Sequence, residues 1–388
     1  MQHILIALSL PLKTSDCAYI LPSTRRFCWL IDKVNLEVQC RFGLYIPKGM
    51  VNEMSDRLYV GIDLGTYQST ISSSAGASHT IETIVGRPKD PVARNFLGRD
   101  VLFGNDALKN KLACNLYRPM AAGVAQDDEA NLAAAKAFVS HLLETVDPEE
   151  YDEVFGVICS PSHVSFTDKS NLVATLRGQV NAIMVVTEPF ATAYGIGEVL
   201  PGSIVVDIGA GTTDIARIHG TFPSEEDQIT IQEAGDWLDL ELMELVKKKY
   251  TGAQVTKDMV RRWKEASSYV GKDASEVMVE LSVEGKKQVV DIGDLILEAC
   301  ESIIPLVASA IKKIVATADP EYQPILRNNI ILSGGGSLID GIAARMADEI
   351  ADIGDVNVWC VEDAINSVAN GALKLAGEMP DSEYIAIN

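Results

Sequence analysis

Ser203-Ile-Val-Val-Asp-Ile-Gly-Ala-Gly-Thr-Thr-Asp214 is the stretch on which the reading of this chain turns. Its β-branched apolar run delivers Asp207 into a turn of small residues, and the chain resumes as Asp214-Ile-Ala-Arg-Ile218. The pattern predicts strand, glycine turn, strand. Gly209 and Gly211 allow φ > 0 and let backbone N–H groups in the turn approach a ligand closely. A single carboxylate at such a turn does not bind phosphate directly. It suits the Mg²⁺, or the Mg²⁺-bound water, that accompanies phosphate. Taken alone, the stretch reads equally as an ordinary buried hairpin.

A second stretch, Leu58-Tyr-Val-Gly-Ile-Asp-Leu-Gly-Thr-Tyr-Gln-Ser-Thr-Ile71, repeats the design. Asp63 matches Asp207 and Gly65 matches Gly209, so two strand-Asp-x-Gly turns form an internal repeat. One such turn is a weak signal, but two could clasp a triphosphate from opposite sides. A third element, Gly334-Gly-Gly336, follows the apolar Asn329–Ser333 run and is predicted to open a helix. Free N–H groups and the helix dipole favour an anion there, and a flat adenine could also rest on its bare backbone.

Composition narrows the classes. With 388 residues, 47% hydrophobic and 22% charged, the chain has room for two or more α/β domains. A net charge of −21 argues against nucleic acid or an anionic membrane as the main partner. Nucleotide phosphates would have to be met locally, by Mg²⁺ and backbone amides. Seven cysteines without CxxC spacing suggest reduced thiols in a cytoplasm. Residues 1–54 hold six basic against four acidic residues, so the rest carries about −23. Their apolar run Ile4–Leu10 is too short to span a bilayer. Residues 1–56 are expected to be a poorly ordered extension or a start assigned too early, without a function.

Along the chain, strand and helix patterns alternate. Strands are expected at 79–85, 153–159, 182–186, 228–233, 329–333 and 356–361, with a hairpin at 277–283 and 288–292. Helices are expected at 129–145, capped by Asp127 or Asp128, and from the Ser165/Asp168 capping box to about 179. Others are expected from Thr187-Glu-Pro-Phe190 to about 198, at 235–250, 259–269, 295–316 and 364–378, and from a Ser337/Asp340 capping pair to 350. Strand–helix–strand spacing implies parallel pairing with crossover helices. The fold class is α/β, with two duplicated domains and inserted subdomains around a cleft. The expected boundaries are 57–200 with an insertion at about 89–127, then 201–355 with an insertion at about 237–293. Residues 356–388 are expected to return to the first domain.

Neither a Gly-x-x-x-x-Gly-Lys-[Ser/Thr] loop nor a Rossmann glycine signature is present. Instead Asp63-Leu-Gly-Thr66, Asp207–Asp214 and Ser333–Gly336 resemble the phosphate-1, phosphate-2 and adenosine motifs of the actin-like ATPase superfamily. Thr187–Gly195 resembles its first connecting segment. The motifs occur in order, and the resemblance covers about residues 57–380. Val85–Asp90, Ser203–Asp214, Glu226–Thr230, Ala234–Asp236 and Gly371–Ala376 further resemble bacterial actins of the MreB type, the magnetosome actins most of all.

The resemblance implies an ATPase with a ribonuclease H-like sheet in each half. It implies a homopolymeric cytoplasmic filament that positions magnetosomes, with magnetosome-associated proteins as partners. Asp63 and Asp207 would hold Mg²⁺, while Gly65, Thr66 and Tyr67 with Gly209, Ala210, Gly211 and Thr212 would cradle ATP or ADP phosphates. Glu188 would orient or deprotonate the attacking water, helped by Asp214 or Thr213. Gly235, Gly334, Gly335 and Gly336 would border the nucleoside, with Lys264 and Glu265 as adenine and ribose contacts. Two departures stand out. Tyr67-Gln68 lacks the loop lysine of eukaryotic actins, and no paired-hydrophobic membrane loop is seen. Alternatives within the superfamily are a chaperone-type ATPase, a small-molecule kinase, a cell-shape or plasmid-segregation actin, or a nucleotide-locked scaffold.

Overall fold

The computed structural model describes residues 56–125 and 128–387, so the expectation for residues 1–56 lies almost wholly outside the described residues. Two sheets organise the chain. The first orders its strands Ile385–Ala386, Ala182–Thr187, Glu153–Ser160, Arg57–Leu64, Gln68–Ser73, Ser78–Glu82. The second orders them Gln228–Ile231, Thr213–Ile218, Ser203–Ile208, Ile330–Ser333, Val358–Cys360.

In each sheet an antiparallel meander of three strands is extended by two parallel strands beside its first member. The sequence repeat is therefore also a repeat of topology. It places Asp63 beside Cys159 and Asp207 beside Ser333, each at the end of the strand that leads its meander. The second leading strand is buried throughout, which fits its β-branched run, and the first is buried at five of its eight positions.

Among the described residues, three larger cores hold the layers of the two main sheets, beside a small fourth around Ile84 and Leu102. Helix Glu129–Glu144 packs Phe138, Leu142 and neighbours under the first sheet, and Asp128 caps it by accepting from Asn131 N at 3.0 Å. Helices Gly235–Lys249, Gly293–Glu301, Ile304–Ala316 and Ile342–Glu349 enclose the second. Between the sheets lie helices Glu188–Ile196 and Ser367–Glu378, whose Phe190, Ala191, Val368 and Leu375 join Val157 of one sheet and Val205 of the other.

Four expectations are corrected. The strand predicted at 79–85 ends at Glu82, and Val85–Pro88 pairs instead with Leu102–Phe103 and Cys114–Tyr117 in a separate small sheet. The helix predicted over 295–316 is two helices, Gly293–Glu301 and Ile304–Ala316. The apolar period continues across the break, but Pro305 has no N–H to bond back into the preceding turn. The Ser337/Asp340 capping pair does not form. Ser337 Oγ donates back to the Gly334 carbonyl at 2.7 Å, Asp340 pairs with Lys272, and the helix starts after left-handed Gly341. Finally, Val358–Cys360 pairs in parallel with Ile330–Ser333, so the chain is still in the second sheet at residue 356 and rejoins the first later, through Ser367–Glu378 and Ile385–Ala386.

Candidate functional site

The two glycine turns and the Gly334–Gly336 segment open onto one cavity of about 450 Å³. All the expected site residues line it except Thr213 and Asp214. Its walls also contain Gln68, Gly123, Asp236 and Arg261, and an apolar end formed by Leu338, Ile339, Ile365 and Val368.

Close packing, not a left-handed backbone, dictates the small residues of the second turn: neither Gly209 nor Gly211 has a positive φ. A Cβ on Gly211 would stand 2.3 Å from Thr66 Oγ1 and 2.9 Å from Ala122 Cα, so the second turn lies directly against the first. Thr66 Oγ1 in turn accepts a hydrogen bond from Gly123 N at 2.8 Å. Gly334 has φ 72°, and a Cβ on Gly336 would stand 2.2 Å from Ile208 Cγ2. The triplet is thus wedged onto the strand that carries Asp207. Gly335 alone faces open space.

The helix predicted at 235 begins as expected, but its first amides are partly used inside the protein. Gly235 N donates to the Gly209 carbonyl at 3.0 Å and Asp236 N to the Ala210 carbonyl at 2.7 Å. These bonds fix the shape of the second turn.

Electrostatically the floor of the cavity is acidic. Burial, with the Asp207 charge beside it, pushes Asp63 up to about 7. Burial also pushes Asp207 up to about 6, against the Ser333 hydroxyl, which donates to its Oδ2 at 2.6 Å. Glu188 opens its helix after Thr187 with Pro189 in the first turn. Burial and the charges of Asp63, Asp214 and Asp207 raise it well above the usual carboxylate range. Among the described residues none of these three acids is in an ion pair with a basic side chain. Buried hard-oxygen donors that repel one another fit a divalent cation such as Mg²⁺.

Asp214 is placed differently. It is fully buried, and its Oδ1 accepts from Ser162 N and Thr230 Oγ1, both at 2.6 Å, while Oδ2 has no hydrogen-bond partner. Thr213 Oγ1 donates to the Glu233 carbonyl at 2.8 Å. Both residues stand behind the cavity wall, on the meander. Lys264 is buried rather than solvated: its Nζ donates to the Gly235 carbonyl at 2.6 Å and sits 2.6 Å from Asp239 Oδ1. Glu265 is exposed at the rim.

Sequence reading missed Arg261. Its guanidinium pairs with Asp236 and, at 2.8 Å, with fully buried Asp239, and it lies 4.0 Å from the centre of the Tyr67 ring. A signal existed. Asp236 and Asp239 on one predicted helix, and Arg261 and Lys264 on the next, share the three-residue spacing that puts both members on one face. The Ser333 hydroxyl was also missed, since register alone brings it to Asp207.

Known proteins share the sequence and the fold of this chain. The actin-like protein MamK of Paramagnetospirillum magneticum is 33% identical over 329 residues, spanning 84% of this chain and 94% of that protein. The cell shape-determining protein Mbl of Bacillus subtilis is 27% identical over 334 residues, spanning 80% and 93%. A solved MamK double helical filament superposes with a TM-score of 0.81 at 33% identity, over 84% of this chain and all of that one. A non-polymerising MamK mutant bound to AMPPNP gives 0.66 at 32% identity over the same shares. The sequence profile of the MreB/Mbl family matches residues 57–383. With its actin-like fold of two repeated sheets, this chain belongs to the MreB/Mbl protein family.

Proposed function

We propose that this protein binds Mg²⁺-ATP in the cavity between its two sheets, polymerises into a cytoplasmic cytoskeletal filament, and hydrolyses ATP to drive filament turnover. The observation that carries this reading is the convergence of Asp63, Asp207 and Glu188 with two glycine turns on one cavity. Filament formation is supported by the likeness to the MamK filament, and the nucleotide by the AMPPNP-bound MamK relative. A role in organising magnetosomes is the further part of this proposal, supported by the likeness to MamK.

Asp63 and Asp207 would hold the Mg²⁺, which when bound offsets the charge of the phosphates. The free amides of the two turns would bind phosphate oxygens without any side-chain cation. Glu188, held at a helix start and surrounded by acid, is a strong enough base to accept a proton from the attacking water once it is ionised. Asp214 would act through Ser162 and Thr230, as a positioning residue for the second meander. Gly335 and the apolar end of the cavity would receive the nucleoside. No described helix is long and apolar enough to cross a membrane.

Sedimentation with Mg²⁺-ATP at micromolar protein, read together with phosphate release, tests the proposal. Pelleting that requires nucleotide, followed by phosphate release, is the expected result. A chain that stays in the supernatant under every nucleotide would overturn the filament reading. Imaging a fluorescent fusion in cells tests the magnetosome role.

A further inference from the structure

We propose that Tyr67 and Arg261 form a clamp across the cavity that ties the two glycine turns together and sets how fast a bound nucleotide leaves. The kinetic half of this proposal rests on the nucleotide reading above, whereas the clamp itself does not. Tyr67 ends the first turn, and its carbonyl accepts from Thr83 N at 2.7 Å, so its backbone moves with the first sheet. Arg261 belongs to helix Lys257–Ser267 on the other side of the cavity. Asp239 and Asp236 hold its guanidinium, and Asp236 N is itself bonded to the carbonyl of Ala210 in the second turn. Tyr67, Arg261, Asp236 and Ala210 thus form a continuous series of contacts from one turn to the other.

The stacked pair has the properties of a strong contact. Arg261 is 7% exposed at its side chain, and the guanidinium lies 4.0 Å from the ring centre. A desolvated cation over an aromatic face is worth more than the same pair in water. The two carboxylates fix the guanidinium in place beforehand, so little ordering is lost when the ring meets it. With Thr66 and Asp236, Tyr67 and Arg261 line both the acidic cavity and a second cavity bordered by Leu108, Leu116 and Arg118, so the pair stands where the two cavities meet. Arg118 reaches the same ring from farther away, 5.9 Å from its centre against 4.0 Å for Arg261, and its pair with Asp258 at 3.7 Å is about two-fifths exposed on both sides, so its hold is weak by comparison.

Two measurements on the full chain test the clamp. In the ligand-free protein, hydrogen–deuterium exchange should rise in both turns and in residues 257–267 in Tyr67→Leu, but not in Tyr67→Phe, which keeps the ring. Unchanged protection in Tyr67→Leu overturns the clamp whatever the nucleotide does. With Mg²⁺ and a fluorescent N-methylanthraniloyl ATP, Tyr67→Leu should release the probe about five- to thirty-fold faster, the kinetic equivalent of ~1–2 kcal/mol at ~1.4 kcal/mol per tenfold. Tyr67→Phe should accelerate release less than Tyr67→Leu, and Arg118→Ala should change it less than about two-fold. Equal acceleration in the Phe and Leu variants, or a larger effect from Arg118→Ala, would assign retention elsewhere and overturn the kinetic half. Failure of the unmodified chain to bind the probe would sink the nucleotide reading and the kinetic half with it, while the exchange data still decide whether the clamp exists.

Discussion

Ser333 Oγ donates a 2.6 Å hydrogen bond to Asp207 Oδ2, joining the strand before the glycine triplet to the carboxylate of the second turn. The bond favours the ionised form of an acid that burial otherwise pushes up to about 6. Ser333→Ala should therefore raise Asp207 further and weaken Mg²⁺-ATP binding by roughly ten- to a hundred-fold, the worth of a hydrogen bond to a charged group. The loss should be larger at pH 6 than at pH 8. Calorimetric titration at the two values checks it, and equal losses at both would contradict the role given to the hydroxyl.

The acidic floor also makes stability depend on pH. Asp63 and Asp207 sit at about 7 and about 6 in the fold, above an ordinary value of 3.8. Between about pH 4 and 7 the folded chain keeps protons that the unfolded chain has released, so their contribution to stability is lost as pH rises through this window. Ligand-free urea midpoints should fall across it because of this pair, and the fall should shrink in Asp63→Asn. Mg²⁺-ATP should flatten the profile. A slope of the same size in Asp63→Asn would exclude Asp63 as a source of it.

Glu188→Gln removes the base while keeping the shape of the helix start. Phosphate release should drop by at least about a hundred-fold, and nucleotide-dependent pelleting should persist. Phosphate assays on pelleted protein decide the point, since turnover close to that of the unmodified chain would remove Glu188 from the reaction.

The glycine triplet separates packing from binding. A Cβ on Gly336 would stand 2.2 Å from Ile208 Cγ2, so Gly336→Ala should destabilise the chain by ~1–3 kcal/mol in urea unfolding. Gly335 faces open space, so Gly335→Ala should leave the unfolding midpoint alone and weaken nucleotide binding instead. Nucleotide affinity unchanged in Gly335→Ala would place the nucleoside elsewhere in the cavity.

The sequence alone determined the repeated half. Apolar runs ending in Asp-x-Gly can be read locally, because strand burial and turn chemistry are properties of a few consecutive residues. This made Asp63, Asp207 and the glycine triplet legible, along with the strand–helix alternation that implies parallel sheets. Which side chains reach the cavity depends on packing between distant segments. Asp214 follows the turn in sequence, yet pleating and register turn it toward Ser162 and Thr230, behind the wall. Lys264 and Arg261 look like surface charges on a polar helix, yet Asp236 and Asp239 on the neighbouring helix draw them inward. Ser333 gains its role because parallel pairing sets it beside Asp207 across 126 residues of chain. Local sequence encodes the strands and turns, whereas contacts between distant segments depend on how the layers pack, which no single stretch contains.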